Sequence, residues 1–184
     1  MSFIPTDLQG VLIFQPDVHK DDRGYFFESY NEETFHDQGV TNRFVQDNQS
    51  FSKRGVIRGL HYQLDPHPQT KLVRVLQGRI LDVAVDIRKG SPTFGKWVGV
   101  VLSSENKRQL LVPRGFAHGF SVLSETAEVS YKCDGFYDKA SEGGIRYDDP
   151  QLKIDWQLPL DKAIVSKKDL QLPVFAACQN NFSY

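Results

Sequence analysis

The chain has 184 residues, 22 Lys and Arg against 23 Asp and Glu, a formal net charge of −1 and 40% hydrophobic residues. This suits one domain spanning 1–184 that buries roughly 70% of its unfolded surface and holds a core without disulfides or a structural metal. Near-zero charge with no long run of one sign excludes the electrostatic footprint of a duplex-binding protein, so no nucleic-acid partner is expected. The short basic stretch at 53–58 reads as a solvated strand end rather than an anion site. Cys133 and Cys178 form no CxxC and no disulfide framework, which points to a reducing cytoplasm. The first seven residues lack a charged segment followed by a long apolar one, and no apolar run approaches the roughly 20 residues of a membrane span. Neither an export signal nor a membrane segment is expected.

In chain order, β-rich stretches bounded by Gly, Pro or Asn predict strands near 11–14 and 24–30. The best helical pattern follows at 31–38, where Asn31 suits the cap, Glu32 and Glu33 the first turn, and Gly39 the end. Strands are predicted next at 43–51, 55–63 and 70–77. Alternation is clearest at 80–88, where Leu81, Val83, Val85 and Ile87 interleave with Asp82, Ala84, Asp86 and Arg88, the pattern of a half-buried strand. Further strands are predicted at 95–102, 107–112, 118–123 and 127–133. About ten short strands separated by turn signals predict a mainly β protein, an antiparallel sandwich or barrel of jelly-roll type with a few short helices. From 149 to 184 the pairs Asp149-Pro150, Leu158-Pro159 and Leu172-Pro173 punctuate short apolar pieces, which predict a C-terminal wrap of turns and short helices around the barrel.

Few residues advertise chemistry. His61 lies in a predicted strand, where one histidine is as often a satisfied core residue as a catalyst. His118 sits in Gly115-Phe116-Ala117-His118-Gly119, where glycines permit close approach of a backbone or a ligand. A metal-binding barrel usually carries an HxH pair on one strand, and here the second histidine is Gln63, which disfavours metal. Phosphate-binding loops, a GxSxG elbow and a dinucleotide fingerprint are all absent. Acid and base chemistry remains.

Taken together, several strings say more. The segments Gly55-Val56-Ile57-Arg58-Gly59-Leu60-His61-Tyr62-Gln63, Lys71-Leu72-Val73-Arg74-Val75, Asp82-Val83-Ala84-Val85-Asp86-Ile87-Arg88 and Pro113-Arg114-Gly115-Phe116-Ala117-His118-Gly119-Phe120 closely resemble the dTDP-4-dehydrorhamnose 3,5-epimerase family. The likeness continues through Tyr131-Lys132-Cys133, Tyr137, Glu142 and Asp148-Asp149-Pro150 to Ser166-Lys167-Lys168-Asp169, in order and over nearly the whole chain.

That resemblance implies a cupin-type jelly roll forming a homodimer with composite active sites. It also implies inversion of C3 and C5 of dTDP-4-dehydro-6-deoxy-glucose with no metal or redox cofactor. Both carbons flank the C4 ketone, so loss of either proton gives an enolate, and reprotonation from the opposite face inverts the centre. By the family motifs, His61 would be the base, Asp169 its orienting carboxylate, Lys71 the cation facing the C4 oxygen and Tyr131 the opposite-face acid. Arg23, Glu28, Gln46, Asn48, Arg58, His118, Glu142 and Lys167 would contact the sugar nucleotide alongside Lys71, and Tyr137 would stack on thymine. Without the resemblance, Asp169 reads as a helix cap, Lys71 as a surface strand residue and Tyr131 as a packed aromatic.

Strand logic raises one difficulty. Arg58 and His61 are an odd number apart, so a regular strand would point them to opposite faces. Either a bulge at Gly59 or a role for Arg58 in a composite pocket would answer it, and Arg23 and Glu28 would likewise reach a partner's pocket. Three other readings stand beside the double epimerase: an epimerase acting at C3 or C5 alone, a metal-dependent cupin enzyme, and a cupin that only binds a nucleotide sugar.

Overall fold

The computed structural model describes residues 2–184. Its strands are β1 (Ser2–Pro5), β2 (Leu12–Gln15), β3 (His19–Asp21), β4 (Gly24–Phe26), β5 (Gln46–Lys53), β6 (Val56–Gln63), β7 (Lys71–Gln77), β8 (Arg79–Asp86), β9 (Trp97–Ser103), β10 (Gln109–Val112), β11 (Phe116–Val122), β12 (Thr126–Cys133), β13 (Glu142–Gly144) and β14 (Ile164–Val165). One α-helix, α1 (Glu32–Asp37), is capped by Asn31, whose side chain accepts from the amides of Glu33 and Thr34, and Gly39 follows it with φ +81°. Both signals were legible in the sequence. The strand expected at 24–30 closes after Phe26, and β1, β3, β13 and β14 have no counterpart among the predicted elements, being two to four residues long.

Two sheets pack face to face. One runs β1-β2-β10-β7-β12-β5 and the other β13-β6-β11-β8-β9, with β14 also on β6, while β3 and β4 form a separate hairpin. Sequence neighbours such as β7 and β8 lie in different sheets, which is the jelly-roll arrangement the strand pattern predicts. Between the sheets lies a core of alternate residues: Val73 and Val75 of β7 and Ala127 and Val129 of β12 meet Ile80 and Ala84 of β8 and Phe116, Phe120 and Val122 of β11.

The outer face of each sheet is also covered. On the first, Phe14, Leu72 and Leu111 pack with Phe35 of α1 and Val40, each such side chain contributing roughly 1.5–3 kcal/mol on burial. On the second, Ile57, Leu81, Val83, Val85 and Ala117 pack under Ile145, Leu152, Ile154, Trp156, Phe175 and Phe182. The 149–184 segment therefore runs over this sheet, pinned by Trp97 Nε1 donating to Leu152 O at 3.0 Å and Ser121 Oγ donating to Trp156 O at 2.7 Å.

This cover corrects the reading of 80–88 as half-buried. Residues 80–86 are buried on both faces. Leu81, Val83 and Val85 face the C-terminal segment, while Ile80 and Ala84 face the barrel interior, so Asp82, which alternates with the latter, points inward too.

Candidate active site

The polar side chains gather at the end of the barrel where β5 and β7 begin and β6 and β12 finish. Strand β6 reaches it through an irregularity. His61 pairs with His118 and Arg58 with Phe120, so Gly59 and Leu60 together stand opposite Gly119. Because His118 and Phe120 are two apart on β11 and share a face, this two-against-one bulge returns Arg58 and His61 to one face. Of the two answers left open by the spacing, the bulge is the one that the register supplies. Glycine is required on both sides of it: Gly59 has φ +116°, and a Cβ on Gly119 would lie 2.6 Å from the Arg58 carbonyl oxygen.

A cavity of about 530 Å³ opens there. His61 and Glu142 line it from the second sheet and Gln46, Asn48, Lys71 and Tyr131 from the first, with Tyr137 at its rim, exposed. The polar half of the site is drawn from alternate positions. Lys71, Tyr131 and Asn48 keep phase with the core residues Val73, Val129 and the buried Ser52 of their own strands. Tyr131 is also paired directly with Asn48 and Val73 in the ladder.

Asp169 stands behind His61. Its Oδ1 lies 2.8 Å from His61 Nε2 and its Oδ2 accepts from the Gly59 amide at 3.2 Å. Asp169 is 4% exposed, whereas the His61 side chain is 41% exposed and open to the cavity. Burial pushes the Asp169 carboxyl up, but the His61 contact and the Gly59 and Ser166 hydrogen bonds outweigh it and hold it below its ordinary value. The sequence alone favoured a helix cap for Asp169. It does open a 3-10 turn, Asp169–Gln171, with its side chain turned back to the barrel.

Burial lowers the pKa of Lys71, with Cys133 and Asp82 pulling the other way. Burial raises that of Tyr131, helped by Cys133 and opposed by Arg58. Arg58 is exposed, donating to Ser52 Oγ at 3.0 Å and Phe51 O at 3.2 Å, and His118 is buried against Asp82 at 2.8 Å; neither lines the cavity. Glu142 receives Lys168 Nζ at 2.6 Å, a hydrogen bond that keeps its carboxyl low and the ammonium high.

Other expected residues lie elsewhere. Arg23 is in the β3–β4 turn, paired with Asp21 at 2.6 Å and 91% exposed, and Glu28 accepts from Asn31. Neither lines this chain's cavity, and Lys167 does not either. Its neighbour Lys168 does. Sequence reasoning also passed over Tyr62, Gln63, Gln69 and the segment that carries Leu172, Pro173, Ala177 and Gln179. The Lys167-Lys168 doublet marks the place, but only the turn decides which ammonium enters. Leu172, Pro173 and Ala177 carry no chemical signal at all. Among the described residues no three His, Cys, Asp or Glu side chains are grouped so as to hold a metal ion.

The sequence profile of dTDP-4-dehydrorhamnose 3,5-epimerase matches residues 5–177. The chain belongs to the dTDP-4-dehydrorhamnose 3,5-epimerase family. It is 55% identical over 171 residues to the dTDP-4-dehydrorhamnose 3,5-epimerase of Shigella flexneri, covering 92% of this chain and 93% of that one. The crystal structure of the dTDP-4-dehydrorhamnose 3,5-epimerase from Elizabethkingia anophelis superposes with a TM-score of 0.92 at 54% identity, covering 96% of this chain and 97% of that one. A Legionella pneumophila dTDP-6-deoxy-D-glucose-3,5-epimerase, solved with dTDP-4-keto-L-rhamnose, matches with a TM-score of 0.92 at 50% identity over 96% and 93% of the two chains. The mainly β jelly roll expected from the strand pattern is thus the fold of this epimerase family. His61 lines the cavity from the second sheet and Tyr131 from the first.

Proposed function

We propose that the protein epimerises dTDP-4-dehydro-6-deoxy-glucose at C3 and C5 to dTDP-4-dehydro-rhamnose. One observation carries this reading: a His61–Asp169 pair on one sheet and Tyr131 on the other open into the same cavity, with Lys71 in its wall. His61 removes the proton beside the C4 ketone, and Asp169 stabilises the imidazolium and holds the ring. Lys71 strengthens its interaction with the C4 oxygen as the enolate forms, which lowers the barrier because the gain arises only in the transition state. Tyr131 returns a proton from the opposite face, and burial, by keeping the phenol protonated, suits it to act as an acid. One carbonyl activates both carbons, so the same groups serve both inversions.

The nucleotide end follows. Gln46, Asn48 and Glu142 of the cavity wall contact the sugar nucleotide and Tyr137, exposed at the rim, stacks on thymine; Arg58 and His118, which do not line the cavity, are assigned to the sugar nucleotide by the family resemblance alone. Arg23, Glu28 and Lys167 stand outside their own chain's cavity, which supports a homodimer in which Arg23 and Glu28 serve the partner's site. The two free cysteines support a cytoplasmic setting, and among the described residues no helix is long and apolar enough to cross a membrane. The chain is read as one domain, its 149–184 wrap bringing Asp169 to the barrel.

Proton NMR of dTDP-4-dehydro-6-deoxy-glucose with the protein in deuterium oxide tests the reading. Loss of both the C3 and C5 signals is expected. Loss of one would make it a single-centre epimerase, and loss of neither would overturn the enzyme reading in favour of a nucleotide-sugar binder.

A further inference from the structure

Two histidine–carboxylate pairs stand on neighbouring strands, His61 in the cavity wall and His118 beside it in the ladder, and they are built differently. Asp169 uses both oxygens, on His61 and on the Gly59 amide. Asp82, in β8, gives Oδ1 to His118 Nε2 at 2.8 Å and leaves Oδ2 buried with no hydrogen-bond partner among the described residues. Asp82 is 0% exposed and His118 7%, so water does not offset this. A buried carboxylate oxygen without a donor is unfavourable unless a nearby positive charge compensates. Lys71 is the cation whose charge couples to Asp82, without a direct ion pair between them. It keeps phase with Val73 and Val75, and Asp82 with Ile80 and Ala84, all of which meet in the core between the sheets. The two side chains therefore enter the same interior from opposite sheets, and the carboxylate's field opposes the effect of burial on the ammonium.

We propose that Asp82 is a positioning residue for the epimerisation: it holds His118 as the Nε2–H tautomer and supplies the buried negative charge that Lys71 faces. The inference rests on the reading that Lys71 meets the developing enolate oxygen. Neutral Lys71 would donate a weaker hydrogen bond to that oxygen, and an unheld His118 would be free to exchange tautomers.

The test compares wild type with Asp82→Asn and Asp82→Glu. The amide of the first keeps an acceptor for His118 but loses the charge, and the second restores the charge. For Asp82→Asn, kcat is expected to fall about tenfold or more with KM and dTDP affinity within about threefold, and Asp82→Glu should recover part of the loss. In wild type, nitrogen-15 NMR of the histidine rings should show His118 as a single Nε2–H tautomer. An Asp82→Asn protein with wild-type kcat, a loss confined to KM or to thermal stability, or an Nδ1–H His118 would each overturn the proposal. If wild type itself exchanges no proton at C3 or C5, the epimerase reading fails instead, and the tautomer assignment is still decided by the His118 spectrum.

Discussion

Replacing Asp169 with Ala removes the partner of the His61 ring while leaving the ring in place. The 2.8 Å contact is made to a carboxylate 4% exposed, so as His61 takes the substrate proton the bond becomes a charge-assisted one in a low-dielectric setting. Such bonds contribute about 1.5–3 kcal/mol, which converts to a fall in kcat of about 10- to 100-fold. His61→Ala removes the base itself, and a loss of about 10²- to 10⁴-fold is expected. Because Asp169 acts on the proton transfer through His61, the double variant should be no slower than His61→Ala alone where dTDP affinity shows the fold intact. The assay is the rate of deuterium entry at C3 and C5, with dTDP affinity as the check on folding, since Asp169→Ala also strips the acceptor from the Gly59 amide. An Asp169→Ala enzyme within twofold of wild type, or additive losses in the double variant, would refute the dyad.

Three further outcomes are expected. Tyr131→Phe should lower net inversion by about 100-fold while solvent exchange at the carbon deprotonated by His61 persists, measured by comparing isotope entry with product formation. Gly119→Ala should cost about 1–3 kcal/mol of stability and displace Arg58 and His61, because the added Cβ meets the Arg58 carbonyl at 2.6 Å; a wild-type melting temperature and activity would contradict the bulge argument. Asp86, fully buried, tests acid stability. Burial pushes its carboxyl up, but hydrogen bonds from Arg88, Ser91 and Thr93 prevail and hold it below its ordinary 3.8. A carboxylate lowered on folding contributes stability that is fully present above 3.8 and is lost as pH falls through the depressed value. Melting temperature should therefore drop below about pH 4. Asp86→Asn should cost about 3 kcal/mol at neutral pH and flatten that acid dependence, read by thermal melts across pH.

Much of the architecture is local and so was written in the chain. Alternation at 80–88, the Asn31 cap and the Gly39 stop depend on residues within a turn or two, and the strands they predict assemble into the jelly roll. The ordered strings from Gly55 to Asp169 marked the family, and within them His61, Lys71 and Tyr131 meet in one cavity.

What tertiary structure alone decided concerns partners distant in sequence. Nothing local shows that 80–86 is covered on both faces, because the residues covering Leu81, Val83 and Val85 lie 60 or more positions later in the 145–182 region. The inward turn of Asp82 follows from that cover, and its unpartnered oxygen from the barrel packing. The return of Arg58 to the face of His61 depends on Gly119 of another strand, and the choice of Lys168 over Lys167 on the course of a turn. Period and propensity are properties of neighbours along the chain. Which polar group is buried, paired or aimed at a ligand depends on what the fold brings against it.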